Sequence, residues 1–333
     1  MSTNPITATV DFEARGVQHG FLRLPASRDE SAWGNVMIPV TVVAGGAGPT
    51  ALITGGNHGD EYEGPIAIMD LARRLRVEEV AGRVILIPQM NAPAFRAGRR
   101  TSPLDGGNLN RAFPGRPDGS ATEKIADYFT RQLLPMADFV LDFHSGGRTL
   151  DFLPFAAAHV LEDKAQEEAC MDAMRAFNAP FSMRLLEIDA GGMYDSEAEA
   201  QGKVFVTTEL GGGGAARAEM VAVARKGLRN FLIHAGILDG EPEIAPSVML
   251  DMPDADCFTF AETAGVFEPA VDLGARVRAG EVLARVWPVE ATGREPVEYR
   301  ARREGIFAAR HWPGLVGQGD CLAVVAEVVE ELS

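Results

Sequence analysis

The apolar positions of this chain fall into short continuous runs that alternate with segments of helical periodicity. Short apolar runs bounded by turn-forming residues are typical of strands buried on both faces of a sheet. The segments between them place apolar side chains three or four positions apart, as in helices that pack against a sheet. We predict strands at residues 36–43, 50–54, 83–88, 139–143 and 203–208, and helices after residue 64 and at 120–136, 162–177 and 217–235.

The order of these elements predicts a doubly wound α/β domain. A strand, a helix and a second strand in succession imply a parallel pair with a right-handed crossover. Ser120 and Glu123 have the spacing of a capping box, which places a helix start at Ser120. Residues 1 to about 35 are interpreted as an irregular lead-in.

The pattern changes in the last third of the chain. Residues 241–256 are rich in proline and acids and are interpreted as a linker. The remainder contains short apolar runs between Gly and Pro, with a β-hairpin predicted at residues 274–283. This pattern is similar to the barrel-sandwich domains that carry biotinyl or lipoyl groups, but no lysine follows Lys226 to bear a cofactor. We predict a domain at 1–245 and an all-β domain at 246–333 that covers the site or mediates assembly.

Composition and charge exclude several classes of partner. The formal net charge of −16 over 333 residues argues against binding to nucleic acid or to anionic membranes. No apolar run reaches the length of a membrane span, and the first residues lack the features of a signal peptide. The three cysteines form no Cys-x-x-Cys pair, so neither a disulfide framework nor a thiolate metal site is expected. We therefore expect a cytoplasmic protein.

The glycine-rich segment at residues 55–64 follows a predicted strand and precedes a predicted helix. It places His58 and Glu61 three positions apart. An imidazole and a carboxylate at this spacing can bind one divalent ion, and Zn²⁺ accepts both ligand types. The alternative is a glycine-rich turn whose polar side chains are solvated.

Two further polar residues follow predicted strands. His144 ends the strand at 139–143, and Glu209 ends the strand at 203–208. Because sites in open α/β sheets lie beyond the carboxyl ends of strands, we expect these side chains to converge with the His58 segment. Asp142 lies two residues before His144 and is expected either to orient that imidazole or to form a buried ion pair.

Two histidines and one glutamate are the ligands of a catalytic zinc site that keeps one position open for water. We therefore predict one Zn²⁺ per chain on His58, Glu61 and His144. Glu209, left unligated, would act as the general base that transfers a proton from water to the leaving amine.

Arginines are concentrated in a long polar segment at residues 91–118 of this acidic chain. Arg100 is the candidate that stabilises an oxyanion, and Asn110 with Arg111 is expected to bind a substrate carboxylate. Together these groups would hydrolyse an amide next to a carboxylate. The alternative is a solvated basic loop.

Four motifs in this order resemble the succinylglutamate desuccinylase and aspartoacylase family. They are His58-Gly-Asp-Glu61, Asn108-Leu-Asn110-Arg111, Asp142-Phe-His144 and Thr208-Glu209. The resemblance implies a zinc carboxypeptidase-like mixed sheet flanked by helices, with a smaller C-terminal all-β domain. It also implies the same three zinc ligands, Glu209 as base and an oxyanion arginine before the Asn-Arg pair. Arg99 and Arg100 both satisfy the last criterion, and we prefer Arg100, with Arg99 assigned to substrate binding.

Three further stretches, at residues 16–20, 55–65 and 95–103, are similar to a member of that family that deacetylates a small cationic amino acid. The expected partner is thus a small N-acyl amino acid, and a homodimer is the expected assembly. An acid near residue 191 would bind the substrate's amine, with Asp189, Asp195 and Glu197 as candidates. The alternatives are another acyl group, as in N-succinylglutamate or N-acetylaspartate, and a catalytically inactive binding protein.

Overall fold

The computed structural model describes residues 3–185 and 191–332, and its main feature is a large mixed sheet with helices on both faces. The helices are α1 (Glu63–Arg74), α2 (Ala92–Ala97), α3 (Ala121–Tyr128), α4 (Lys164–Phe177), α5 (Tyr194–Ala200) and α6 (Ala218–His234). The strands of the first two thirds of the chain are β1 (Thr7–Ala8), β2 (Gly16–Pro25), β3 (Asn35–Ala44), β4 (Thr50–Gly55), β5 (Arg83–Ile87), β6 (Phe139–His144), β7 (Leu150–Phe152), β8 (Phe155–His159), β9 (Phe181–Leu185) and β10 (Val204–Glu209). Those of the last third are β11 (Ser247–Met252), β12 (Phe258–Phe260), β13 (Gly265–Pro269), β14 (Arg276–Val277), β15 (Val282–Trp287), β16 (Val297–Arg300), β17 (Gly305–His311), β18 (Leu315–Val316) and β19 (Cys321–Leu332).

The centre of the large sheet is a parallel block of the predicted strands in the order β5-β4-β6-β10. Antiparallel strands β3 and β8 flank this block. The sheet continues through β9, β11, β19 and β17, so strands from the end of the chain extend it. The predicted mixed sheet with flanking helices is confirmed.

Successive residues of the central strands pack into two separate cores. Ala51 and Ile53 of β4 lie in the core beneath α1, α4 and α6, whereas Leu52 lies in the opposite core with α3 and α5. Strand side chains point alternately to the two faces, so a strand that is covered on both sides must be apolar throughout. This explains the continuous apolar runs in the sequence.

The C-terminal region is all β, as predicted. A separate sheet in the order β16-β15-β13-β18 packs over a core that includes Leu283, Val286, Phe307 and Leu322. Among the described residues, every helix is too short or too polar to cross a lipid bilayer. The domain boundary at 245/246 stays a prediction.

Three local predictions are wrong. The lead-in contains β2, which pairs with β3 along its full length from Gly16 to Pro25. The segment interpreted as a linker contains β11, which pairs with β9 and β19. The predicted hairpin is absent because β14 pairs with β17 while β15 pairs with β13 and β16. In each case the pattern within the segment does not identify the strands that pair with it.

Candidate metal centre and its cavity

Three parallel strands bring the predicted site residues together at their carboxyl ends. Strand β4 ends at Gly55 and leads into the segment that carries His58 and Glu61. In the neighbouring pair β6 and β10, His144 lies directly opposite Glu209. Residues opposite each other in a ladder project from the same face, so His144 and Glu209 point to one side of the sheet. The expected convergence at the strand ends is confirmed.

The side chains of His58, Glu61 and His144 form a compact, buried cluster. Their ligand atoms all lie within 4.8 Å of one another. Glu61 Oε1 is 2.7 Å from His58 Nδ1, and its Oε2 is 3.0 Å from His144 Nδ1. All three residues are less than a tenth exposed. Two imidazole nitrogens and a carboxylate in this arrangement fit the donor set of a catalytic zinc site.

The electrostatics of the cluster favour metal binding. Burial lowers the pKa of His58, although Glu61 opposes that shift. Burial would raise the pKa of Glu61, but His58 and His144 outweigh it and hold that pKa well below its usual range. Burial lowers the pKa of His144, yet Asp142 and Glu61 together raise it well above its usual value. A divalent cation would compensate the carboxylates that surround His144.

Asp142 contacts His144 at the ring nitrogen that does not face Glu61, and it can orient the ring. Its Oδ2 lies 2.8 Å from His144 Nε2 and accepts a hydrogen bond from Asn57 Nδ2 at 3.2 Å. Its Oδ1 accepts a hydrogen bond from the Thr54 hydroxyl at 2.7 Å. A carboxylate on the outer nitrogen fixes the tautomer and the direction of a ligating imidazole. The same contact fits both interpretations of Asp142, because the two groups are buried at ion-pair distance and Asp142 also fixes the ring.

Glu209 lies beside the cluster as a carboxylate with spare hydrogen-bonding capacity. Its Oε2 is buried and has no hydrogen-bond partner within the described parts of the chain. Burial raises its pKa to about 8, and the negative charge of Glu61 adds to this. A buried polar atom without a partner is rare in a folded protein. Glu209 therefore keeps one buried oxygen available for a group that enters the site.

The cluster opens into a polar cavity of about 200 Å³. Its wall includes His58, His144 and Glu209 together with three of the residues predicted from the polar segment, namely Arg100, Asn110 and Arg111. Arg100 Nη1 lies 3.3 Å from His58 Nδ1, at the metal ligands. Both arginines are exposed, but Arg99 does not belong to this wall, and its backbone carbonyl accepts the N–H of Gly59 at 2.9 Å. The geometry thus distinguishes the two neighbouring arginines.

Asn110 and Arg111 occupy a helical turn at Leu109–Arg111 on the cavity rim. The Asn110 side-chain oxygen accepts the N–H of Tyr194 at 3.0 Å, and the Arg111 guanidinium donates to the Asn110 carbonyl oxygen at 2.6 Å. The first contact ties the Asn-Arg pair to helix α5. The pair and α5 therefore form one continuous part of the wall.

Several residues that contact the cluster were not assigned by sequence reasoning. Asn108 Oδ1 lies 3.2 Å from His58 Nε2, and the backbone N–H of Ser145 donates to Glu61 Oε2 at 3.1 Å. Asn108 begins the Asn-Leu-Asn-Arg motif, and its place in that motif could have identified it from the sequence. Of the candidate amine-binding acids, Asp195 lines the cavity, Glu197 does not, and Asp189 lies outside the described residues.

An apolar cavity of about 490 Å³ adjoins the polar one and shares Arg111 and Glu209 with it. Its remaining wall includes C-terminal residues, among them Met252, Phe258 and Phe260. The C-terminal strands therefore contribute to the mouth of the site, which was one of the two roles expected for them.

Known proteins match the chain over nearly its whole length. The succinylglutamate desuccinylase/aspartoacylase catalytic domain matches residues 47–235. An N-alpha-acetyl-L-2,4-diaminobutyric acid deacetylase from Halomonas elongata is 59% identical over 99% of this chain and 97% of its own length. The product-bound structure of the ectoine utilization protein EutE (DoeB) from Ruegeria pomeroyi is 64% identical, covers 98% of this chain and 100% of that one, and superimposes with a TM-score of 0.97.

A second solved structure has a name from the same family. A succinylglutamate desuccinylase from Silicibacter sp. is 62% identical, covers 99% of this chain and 100% of that one, and has a TM-score of 0.96. The domain match spans more than half of the chain, and both relatives far exceed the identity at which family membership is in doubt. The chain therefore belongs to the succinylglutamate desuccinylase/aspartoacylase family and is an amide hydrolase.

Proposed function

We propose that this protein is a zinc-dependent deacetylase that converts Nα-acetyl-L-2,4-diaminobutyrate into L-2,4-diaminobutyrate and acetate during ectoine degradation. The observation that carries the proposal is the unpartnered Glu209 carboxylate beside the buried trio His58, Glu61 and His144. The name of the Halomonas elongata relative supports the choice of substrate. A cytoplasmic location and a homodimer belong to the same proposal.

The proposed reaction is the addition of water to the acetyl carbonyl, followed by cleavage of the C–N bond. Zinc on His58, Glu61 and His144 would acidify the water and polarise the carbonyl. Glu209 would take one proton from the water and deliver it to the amine nitrogen as the C–N bond breaks. The water oxygen then remains on the acetyl carbon, so the products are acetate and the free amine. Arg100 would donate hydrogen bonds to the developing oxyanion.

The walls of the cavity suggest how the substrate would be oriented. A planar guanidinium can bind both oxygens of a carboxylate, and Arg111 lies on the rim with Asn110 behind it. Binding of the α-carboxylate there would direct the acylated nitrogen toward Glu209. The polar cavity of about 200 Å³ would hold the amino-acid part of the substrate, and the adjoining apolar cavity of about 490 Å³ lies beside it.

The test is acetate release by zinc-loaded protein from Nα-acetyl-L-2,4-diaminobutyrate, compared with its Nγ isomer, N-acetylaspartate and N-succinylglutamate. We expect turnover of the Nα compound that is lost on chelation and restored by zinc. Glu209→Gln should retain zinc and lose about two to four orders of magnitude in kcat. Preference for N-succinylglutamate would replace the substrate but keep the chemistry, whereas near-normal turnover by Glu209→Gln would remove Glu209 from the mechanism.

A further inference from the structure

The carboxylates that line the polar cavity differ in their surroundings. Of the described residues in its wall, Glu209 and Asp195 are the acidic ones. Glu209 interacts electrostatically with Glu61, His144 and Arg100. Asp195 lies in the first turn of α5 and is only 6% exposed.

Within residues 3–185 and 191–332, Asp195 is buried and forms no ion pair with an Arg, Lys or His. Its Oδ1 accepts hydrogen bonds from the Ser196 backbone N–H at 2.6 Å and from the Ser196 hydroxyl at 3.2 Å. Its Oδ2 accepts none within the described parts of the chain and is not sealed from solvent. Since a buried charge without a partner is costly, this carboxylate is suited to a cationic ligand.

The position of Asp195 relative to the carboxylate-binding pair matches the shape of the proposed substrate. Tyr194, its neighbour in the chain, donates its backbone N–H to Asn110 at 3.0 Å, which places Asp195 next to the Asn110–Arg111 turn. In 2,4-diaminobutyrate two methylene groups separate the side-chain ammonium from the α-carbon, which bears the carboxylate. Asp195 and Arg111, on adjacent parts of the wall, would therefore bind the ammonium and the carboxylate of the same molecule.

Other acids near the cavity already have partners. The Glu197 carboxylate accepts a hydrogen bond from the Gln201 side chain and does not line the cavity. Glu199 forms an ion pair with His159 at 2.8 Å. Asp142 is occupied by His144, Asn57 and Thr54.

We propose that Asp195 binds the side-chain ammonium of the substrate and makes the enzyme selective for a cationic N-acyl amino acid. The proposal rests on the proposed function and extends it to substrate specificity. Asp195 acts on substrate choice and takes no part in proton transfer, which belongs to Glu209.

The experiment compares two substrates of the same shape. Nα-acetyl-L-norvaline replaces the ammonium of Nα-acetyl-L-2,4-diaminobutyrate by a methyl group. The measured quantity is the ratio of kcat/KM for the cationic substrate to kcat/KM for the neutral one. Asp195→Asn keeps an oxygen for the Ser196 N–H and removes the charge, and it should lower this ratio by about 10- to 100-fold, the usual effect of a hydrogen bond to a charged group. Asp195→Glu should retain more of the preference than Asp195→Asn.

The matched control is Glu197→Gln, which makes the same chemical change on the same helix outside the cavity and should leave the ratio unchanged. If Asp195→Asn does not fold, Asp195→Ser keeps an acceptor oxygen and replaces it in the comparison. An unchanged ratio in a folded Asp195 variant, with normal wild-type activity on the cationic substrate, would overturn this assignment alone. Failure of the wild-type enzyme on that substrate would instead overturn the proposed function.

Discussion

Replacing Asp142 by Asn would test whether His144 is a metal ligand that Asp142 orients through the Nε2 atom of its ring. The substitution preserves the hydrogen bonds of the site: Oδ1 of the new amide can accept from His144 Nε2 and Asn57, while its NH₂ group donates to the Thr54 hydroxyl. That hydroxyl can then donate to the Leu141 carbonyl oxygen, 3.4 Å away. The negative charge behind His144 is therefore the property that is lost.

Loss of an outer partner of a ligating imidazole typically weakens metal binding by about 10- to 100-fold. We therefore expect Asp142→Asn to bind zinc more weakly by about 1.4–2.7 kcal/mol, because the neutral amide no longer raises the basicity of His144. Competition with a chromophoric chelator at fixed pH measures this directly. The control is Asp138→Asn, which alters a carboxylate at the start of the same strand that accepts the Thr50 N–H at 2.8 Å. An Asp142→Asn protein that folds normally and binds zinc with wild-type affinity would refute the reasoning.

Two further predictions concern packing and thiol chemistry. In Gly64→Ala the new Cβ would lie 2.0 Å from Phe143 Cβ. Overpacking should therefore outweigh the better helix propensity of alanine and lower the free energy of unfolding by about 1–3 kcal/mol. The control is Gly314→Ala, whose new Cβ would meet open space and which should leave the urea midpoint unchanged. Burial raises the pKa of both Cys170 and Cys321 to about 11, which at pH 8 leaves about 100-fold less thiolate than in a free thiol. Iodoacetamide should therefore modify the native protein slowly and the urea-unfolded protein fast, and rapid labelling of the native thiols would contradict this.

The C-terminal region stabilises the loop that follows Glu209. The buried Asp151 carboxylate binds Arg217, at the start of α6, at 2.8 Å and Arg310 of β17 at 3.1 Å. The loop itself is joined to the β7 region by the Gly213 N–H, which donates to the Leu150 carbonyl oxygen. These contacts connect β17 to the segment that positions Glu209, so the C-terminal strands support the site as well as form its mouth.

The sequence by itself determined the central strands and the strand ends that carry the chemistry. Continuous apolar runs identify strands covered on both faces, and polar residues that follow such runs must lie at one edge of a parallel sheet. His58, His144 and Glu209 were predicted on this basis, and the structure brings them together. The four motifs added the family, which the comparisons show.

Only the tertiary structure decided the elements and residues that depend on distant partners. Strand β11 lies in a segment rich in proline and acids, and it exists because the distant strands β9 and β19 pair with it. Arg99 and Arg100 are equivalent in sequence, but only Arg100 belongs to the cavity wall. Asp195 and Glu197 are two positions apart in sequence, but of these two only Asp195 lines the cavity. Burial, pairing and charge compensation are properties of residues far apart in the chain, and local sequence does not encode which of those residues meet.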